Sequence, residues 1–61
     1  MKELDVVRLK EDYKEISKGG KGTIVLPYDE KNCEVEFFDK DGDTIEVVMT
    51  TLNKLKLVKS F

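Results

Sequence analysis

The feature that most constrains this chain is the stretch Asn32–Thr50, N-C-E-V-E-F-F-D-K-D-G-D-T-I-E-V-V-M-T. Residues 33–38 alternate, with Cys33, Val35 and Phe37 on one side and Glu34, Glu36 and Phe38 on the other. Residues 44–49 alternate as well, Ile45, Val47 and Met49 against Thr44, Glu46 and Val48. A period of two is the mark of a half-buried strand. Between the runs lies Asp39-Lys40-Asp41-Gly42, which has Asp at the first turn position and Gly where a left-handed residue is required. The pair reads as one hairpin with a type I turn and a glycine bulge at Gly42. If Gly42 and Asp43 both oppose Asp39, then Phe38 faces Thr44, Phe37 faces Ile45, Val35 faces Val47 and Cys33 faces Met49. All six inward residues are then apolar. A slip of one residue sends half of them to the wrong face. The same register sets Glu36 opposite Glu46, a like-charge pair that argues for a bend or a positive neighbour.

The rest of the chain reads as four further pieces. Asp5 to Lys10 is a short β-branched strand with Val7 and Leu9 inward. Residues 11–21 form a long polar loop pegged by Tyr13 and Ile16 and ended by glycines. Gly22 to Tyr28 is a second strand with Ile24 and Leu26 inward, and Pro27 ends it, bulges it or puts it at an edge because it donates no ladder bond. Thr51 to Lys54 is one short turn carrying Leu52, and Leu55 and Leu57 mark a fifth strand. Lys59-Ser60-Phe61 is a tail. Five short strands and no helix suggest a single domain over residues 1–61, an all-β five-stranded SH3-like barrel with a long first loop and one short turn before the last strand; closure would dispose of the sheet edges. The expected core is Val7, Leu9, Ile16, Ile24, Leu26, Cys33, Val35, Phe37, Ile45, Val47, Met49, Leu52, Leu55 and Leu57.

Composition narrows the function. The chain has 61 residues, one cysteine, no histidine, and 13 acidic against 11 basic residues for a net charge of −2. The absence of histidine removes the commonest general base and metal ligand. A lone inward Cys33 suits packing in a reducing compartment, so the expectation is a cytoplasmic protein. No secretory segment or membrane span is evident. Asp39, Asp41 and Asp43 mimic a calcium loop, but the glycine and the final acid fall at the wrong positions; the turn explains them. No cofactor and no catalytic residue is indicated.

Three stretches, E-L-D-V-V-R-L at 3–9, K-G-G-K-G-T-I-V at 18–25 and E-V-E-F-F-D-K-D-G-D-T at 34–44, together resemble a family of very short bacterial proteins catalogued as a domain of unknown function. The resemblance runs through nearly the whole chain, in order, and ends in a terminal L-x-L-V. Cys33 stands where that family usually has a bulky residue, and residues 11–17 lack the Pro-Glu-His-Gly type of sequence common there. The resemblance implies an SH3-like barrel, more loosely similar to KOW-type barrels and to small barrels that dock on enzymes. It also implies an immunity or antitoxin role.

Two surfaces compete. The register puts Glu34, Glu36, Phe38, Glu46 and Val48 on the outer side of the hairpin, an apolar centre with an acidic rim suited to a basic protein partner, such as a toxin or an enzyme subunit. The ordinary explanation of an outward Phe38 is that it tucks under a loop. The second surface gathers Arg8, Lys10, Lys14, Lys18, Lys21, Lys54 and Lys56 as a nucleic-acid patch, against which stands the plain reading of a solvated lysine face. Nucleic acid would require aromatic platforms among the charges, and only Tyr13 is near in sequence. The expected function is a non-catalytic protein-binding module, with a KOW-like nucleic-acid module as the alternative and self-association open.

Overall fold

In the computed structural model, which describes residues 1–60, the five strands are β1 Val6–Leu9, β2 Lys21–Pro27, β3 Asn32–Phe38, β4 Thr44–Thr51 and β5 Leu55–Lys59. Phe61, placed in the tail above, lies outside the described residues. A single 3-10 turn, Leu52–Lys54, separates β4 from β5. All ladders are antiparallel, and the strands lie in one sheet in the order β4-β3-β2-β1-β5. β4 and β5 are therefore the two edges, and no ladder between them closes the sheet. The all-β, five-stranded expectation holds; the sheet is open.

The hairpin tip forms as its residues dictate. The Gly42 N–H donates to the Asp39 carbonyl at 3.0 Å, and the Asp39 N–H donates to the Asp43 carbonyl at 2.9 Å. Gly42 takes φ +88°, the left-handed region where a side chain is costly. The Asp39 carboxylate accepts the N–H groups of Asp41 and Asp43 at 2.9 and 3.0 Å, locking the turn from within.

The register beyond the tip differs from expectation. Phe38 opposes Thr44 as expected, but Phe37 opposes Glu46, Val35 opposes Val48 and Cys33 opposes Thr50. Ile45 is the extra residue of a second bulge. Past it every β4 side chain changes face: Val48 and Thr50 are buried, whereas Ile45, Val47 and Met49 are 42%, 51% and 39% exposed. Those three leave the core, and Val48 enters it. The shift also removes the Glu36–Glu46 conflict, because Glu36 now faces Val47. A bulge of the same kind between Ile24 and Leu26 turns Leu26 outward, opposite Glu34. Leu57 keeps inward parity opposite Val7 but sits on the edge strand and is exposed.

The core is Val7, Leu9, Ile16, Ile24, Cys33, Val35, Phe37, Val48 and Leu55, with Tyr13 and Leu52 packed against it. A lone sheet can cover its own apolar side only by bending. Irregularities in the β1–β5, β2–β3 and β3–β4 ladders supply that bend. Gly22 lets β2 come close to β3, since a Cβ there would lie 2.6 Å from Val35 Cγ1 and 2.9 Å from Phe37 Cδ1. The long loop contributes Ile16 as a plug, with Tyr13 and Ile16 exchanging backbone hydrogen bonds of 2.9 and 3.0 Å. Asp5, read above only as the start of a strand, is buried. It accepts the Lys2 N–H at 2.9 Å and the Ser60 hydroxyl at 3.0 Å, tying one end of the chain to the other.

Candidate functional site

The outer face of the sheet is laid out in rows by the cross-strand register. The first row runs Lys56, Arg8, Lys21, Phe38, Thr44 from β5 to β4. The second runs Lys59, Val6, Thr23, Glu36, Val47. The third holds Leu26, Glu34 and Met49. Paired residues in an antiparallel ladder point to the same side, so each row is a line of neighbouring side chains. The face is thus basic on β5, β1 and β2, acidic on β3 and apolar on β4.

Each expected protein-binding residue has a definite place. Glu34, Glu36 and Phe38 are half-buried on this face, and Glu36 accepts the Thr44 hydroxyl at 2.6 Å. Glu46 opposes the buried Phe37 and so belongs to the other side of the sheet. Val48, 3% exposed, is a core residue and no part of a surface. The bulge at Ile45 causes both corrections. Reading the sequence missed Val47 and Met49, which take the outer positions opposite Glu36 and Glu34. The one signal for them was the Glu36–Glu46 clash, which a bulge relieves. Among the described residues no basic side chain forms an ion pair with Glu34 or Glu36, so their charge stays available to a partner.

The lysines separate into two groups. Arg8, Lys21 and Lys56 share the first row, and the Arg8 guanidinium is held by a 2.8 Å bond to the Gly19 carbonyl. Lys14 and Lys54 belong elsewhere, with ammonium nitrogens 5.7 and 4.4 Å from the centre of the Tyr13 ring. Lys10 continues β1 toward that second group, its N–H bonded to the Lys54 carbonyl at 2.7 Å. Lys18 stays in the loop, its N–H on the Asp12 carboxylate at 2.7 Å. The candidate residues thus fall into a row on the outer sheet face and a group around Tyr13.

Each edge of the sheet carries some guard against strand addition. A backbone bond from the Leu52 N–H to the Lys31 carbonyl, 2.8 Å, fixes Asn32–Thr51 as a non-hydrogen-bonded pair. By alternation Val47 and Met49 direct their backbone groups outward. The Tyr13 hydroxyl caps the Met49 carbonyl at 3.1 Å, and the Ile45 bulge distorts the other end. The β5 edge is short and carries Lys56 and Lys59. These are the usual guards of an open edge.

Cys33 is buried, and that burial pushes its thiol up from its ordinary value, which keeps it protonated at neutral pH. No cluster of His, Cys, Asp and Glu able to hold a metal is found among the described residues. Nor, among them, is any helix long and apolar enough to cross a membrane.

A small five-stranded antiparallel domain with one patterned sheet face is the class of protein that these features define. The chain belongs to the family described as Domain of unknown function (DUF4926), whose model matches residues 3–58. No curated protein and no solved structure matches it.

Proposed function

We propose that this protein is a non-catalytic protein-binding module and that it docks through the β3–β4 half of its outer face. The observation that carries the reading is an inversion on β4. The strand buries Thr50, whose hydroxyl is enclosed and has no hydrogen-bond partner among the described residues, and leaves Val47 and Met49 outside. An unsatisfied buried hydroxyl costs about 1–3 kcal/mol, and the opposite register would bury apolar groups instead. A chain that forgoes that stability has its outer residues shaped by something other than folding. Val47, Met49 and Phe38 form an apolar centre, with Glu34 and Glu36 between them. The partner surface is therefore apolar with basic side chains, as on a nucleic-acid-binding toxin or an enzyme subunit. Strand order and the 3-10 turn before β5 support an SH3-like arrangement as the scaffold; a bacterial cytoplasmic setting is part of the same proposal.

The test begins with capture and identification of the partner, followed by binding measured between purified components. Val47→Lys with Met49→Lys places two cations in the apolar centre and is expected to weaken binding at least about tenfold, as loss of a central anchor does. Arg8→Gln, on the far half of the face, serves as the control. Unchanged affinity in the double variant would remove this surface from consideration.

A further inference from the structure

The basic half of the face carries a row of cations that docking by β3–β4 leaves unused and that meets the docking surface only at Phe38. Lys56, Arg8 and Lys21 stand directly opposite one another on three adjacent strands. Neighbouring strands are about 4.8 Å apart, and like charges in such pairs repel. Among the described residues none of the three has an acidic partner. Edge protection accounts for Lys56, but Arg8 and Lys21 are on interior strands. Phe38 continues the same row beside Lys21. Here is the aromatic ring that reading along the sequence could not place among the basic residues. Arg8, Lys21, Phe38 and Lys40 line one open groove of about 660 Å³ together with Val6 and Thr23, and Lys56, opposite Arg8, extends the row beyond it. Its one acidic residue, Asp39, spends a carboxylate oxygen on the turn's own N–H groups.

We infer that this groove binds single-stranded nucleic acid, with one base on the Phe38 ring and successive phosphates along Lys21, Arg8 and Lys56. The groove crosses the interior strands β1 and β2, whose backbone groups are committed to ladders on both sides. A peptide would find no main-chain partners there. A nucleic acid strand needs none, because side-chain cations hold its phosphates and a ring stacks its bases. The bond from Arg8 to the Gly19 carbonyl holds the guanidinium in place beside Lys21. With a net charge of −2 the protein exerts no long-range attraction, so the contact is short-range, weak and tolerant of sequence.

The experiment titrates the full chain into labelled oligo(dT) and oligo(rU) of about six to eight nucleotides across a salt series. Engagement of three to four cations gives a slope of log affinity on log salt of about −2 to −3, at about −0.7 per phosphate on single strands. Lys21→Gln is expected to flatten that slope by about 0.7, and Phe38→Ala to lower affinity roughly 5-fold or more while leaving the slope alone. Thermal melts of each variant show whether it is folded; Lys21→Gln removes one of two like charges paired across β1 and β2 and is expected to retain the fold. No binding at low salt overturns the inference. So does binding that survives Arg8→Gln with Lys21→Gln, which would place the contact elsewhere. Equal affinity for thymidine monophosphate overturns the strand in favour of a free nucleotide, and tighter binding of an oligoglutamate overturns nucleic acid in favour of an acidic peptide. Val47→Lys with Met49→Lys is expected not to weaken the oligonucleotide, so that this site and the docking surface fail separately.

Discussion

The register of β4 can be tested by shaving two adjacent valines. Val48 is 3% exposed and packs opposite Val35, whereas Val47 is 51% exposed opposite Glu36. Truncating Val48 to Ala removes two buried methyl groups. At about 0.8 kcal/mol for each such carbon, the lost transfer energy is about 1.6 kcal/mol, and the cavity left among Val35 and its neighbours raises the cost to about 2–3 kcal/mol. The same change at Val47 removes half-solvated surface and is expected to cost below about 0.8 kcal/mol. For a chain of this size, whose whole stability is about 3–9 kcal/mol, the first loss is severe and the second slight. In melting temperature they correspond to about 8–24 °C and less than about 6 °C, at about 4–8 °C per kcal/mol. Urea unfolding followed by far-UV circular dichroism measures both, with the m-value as a check that the denatured state is unaltered. A regular hairpin without the Ile45 bulge reverses the order, since Val47 would then be inside. If Val47→Ala were the more damaging of the pair, the register described here, and the docking face built on it, would both be wrong.

Three further outcomes are expected. Thr50→Val replaces the unpartnered buried hydroxyl by a methyl of nearly the same shape and should raise stability by about 1 kcal/mol, read as a higher urea midpoint; a lower midpoint would mean the hydroxyl is satisfied in solution. Gly22→Ala drives a Cβ to within 2.6 Å of Val35 Cγ1 and 3.1 Å of the Glu36 carbonyl, and should cost about 1–3 kcal/mol, whereas a neutral effect would show that β2 and β3 can separate freely. Asp29 holds its turn by accepting the Lys31 N–H first, then the Asn32 side-chain amide and N–H, and these bonds lower its carboxyl below the ordinary 3.8. A depressed folded value means the contribution is present above the unfolded value and is lost as pH falls through the folded one. The stability gap between the wild type and Asp29→Ala should therefore hold at neutral pH and close in acid below that ordinary value; a gap constant down to acid unfolding would contradict the assignment.

Strand positions and the hairpin tip were legible because both depend on neighbours in the chain. Alternation marked β3, and Asp39 and Gly42 specified the turn. The pegs Ile16 and Tyr13 were legible too, as the apolar residues of a polar loop. The faces of Leu26, Val47, Val48 and Met49 were not. Each depends on a bulge, and a bulge is chosen by what the far side of the sheet must accommodate. One added residue reverses every side chain beyond it. For the same reason Glu46 and Val48 dropped out of the candidate surface, while Val47 and Met49 entered it.

By itself, then, the sequence determined an all-β chain of five short strands, roughly where each lies, and a turn held by Asp39 and Gly42. These follow from local backbone preference and side-chain chemistry, which short stretches carry within themselves. Only the tertiary structure decided that Lys56, Arg8, Lys21 and Phe38 share one row, that the sheet stays open with guarded edges, and that β4 hides a threonine while showing a valine and a methionine. Those depend on pairing between strands distant in the chain. There, ladder geometry, the closeness that Gly22 permits and the bend required to cover a single apolar face are settled together.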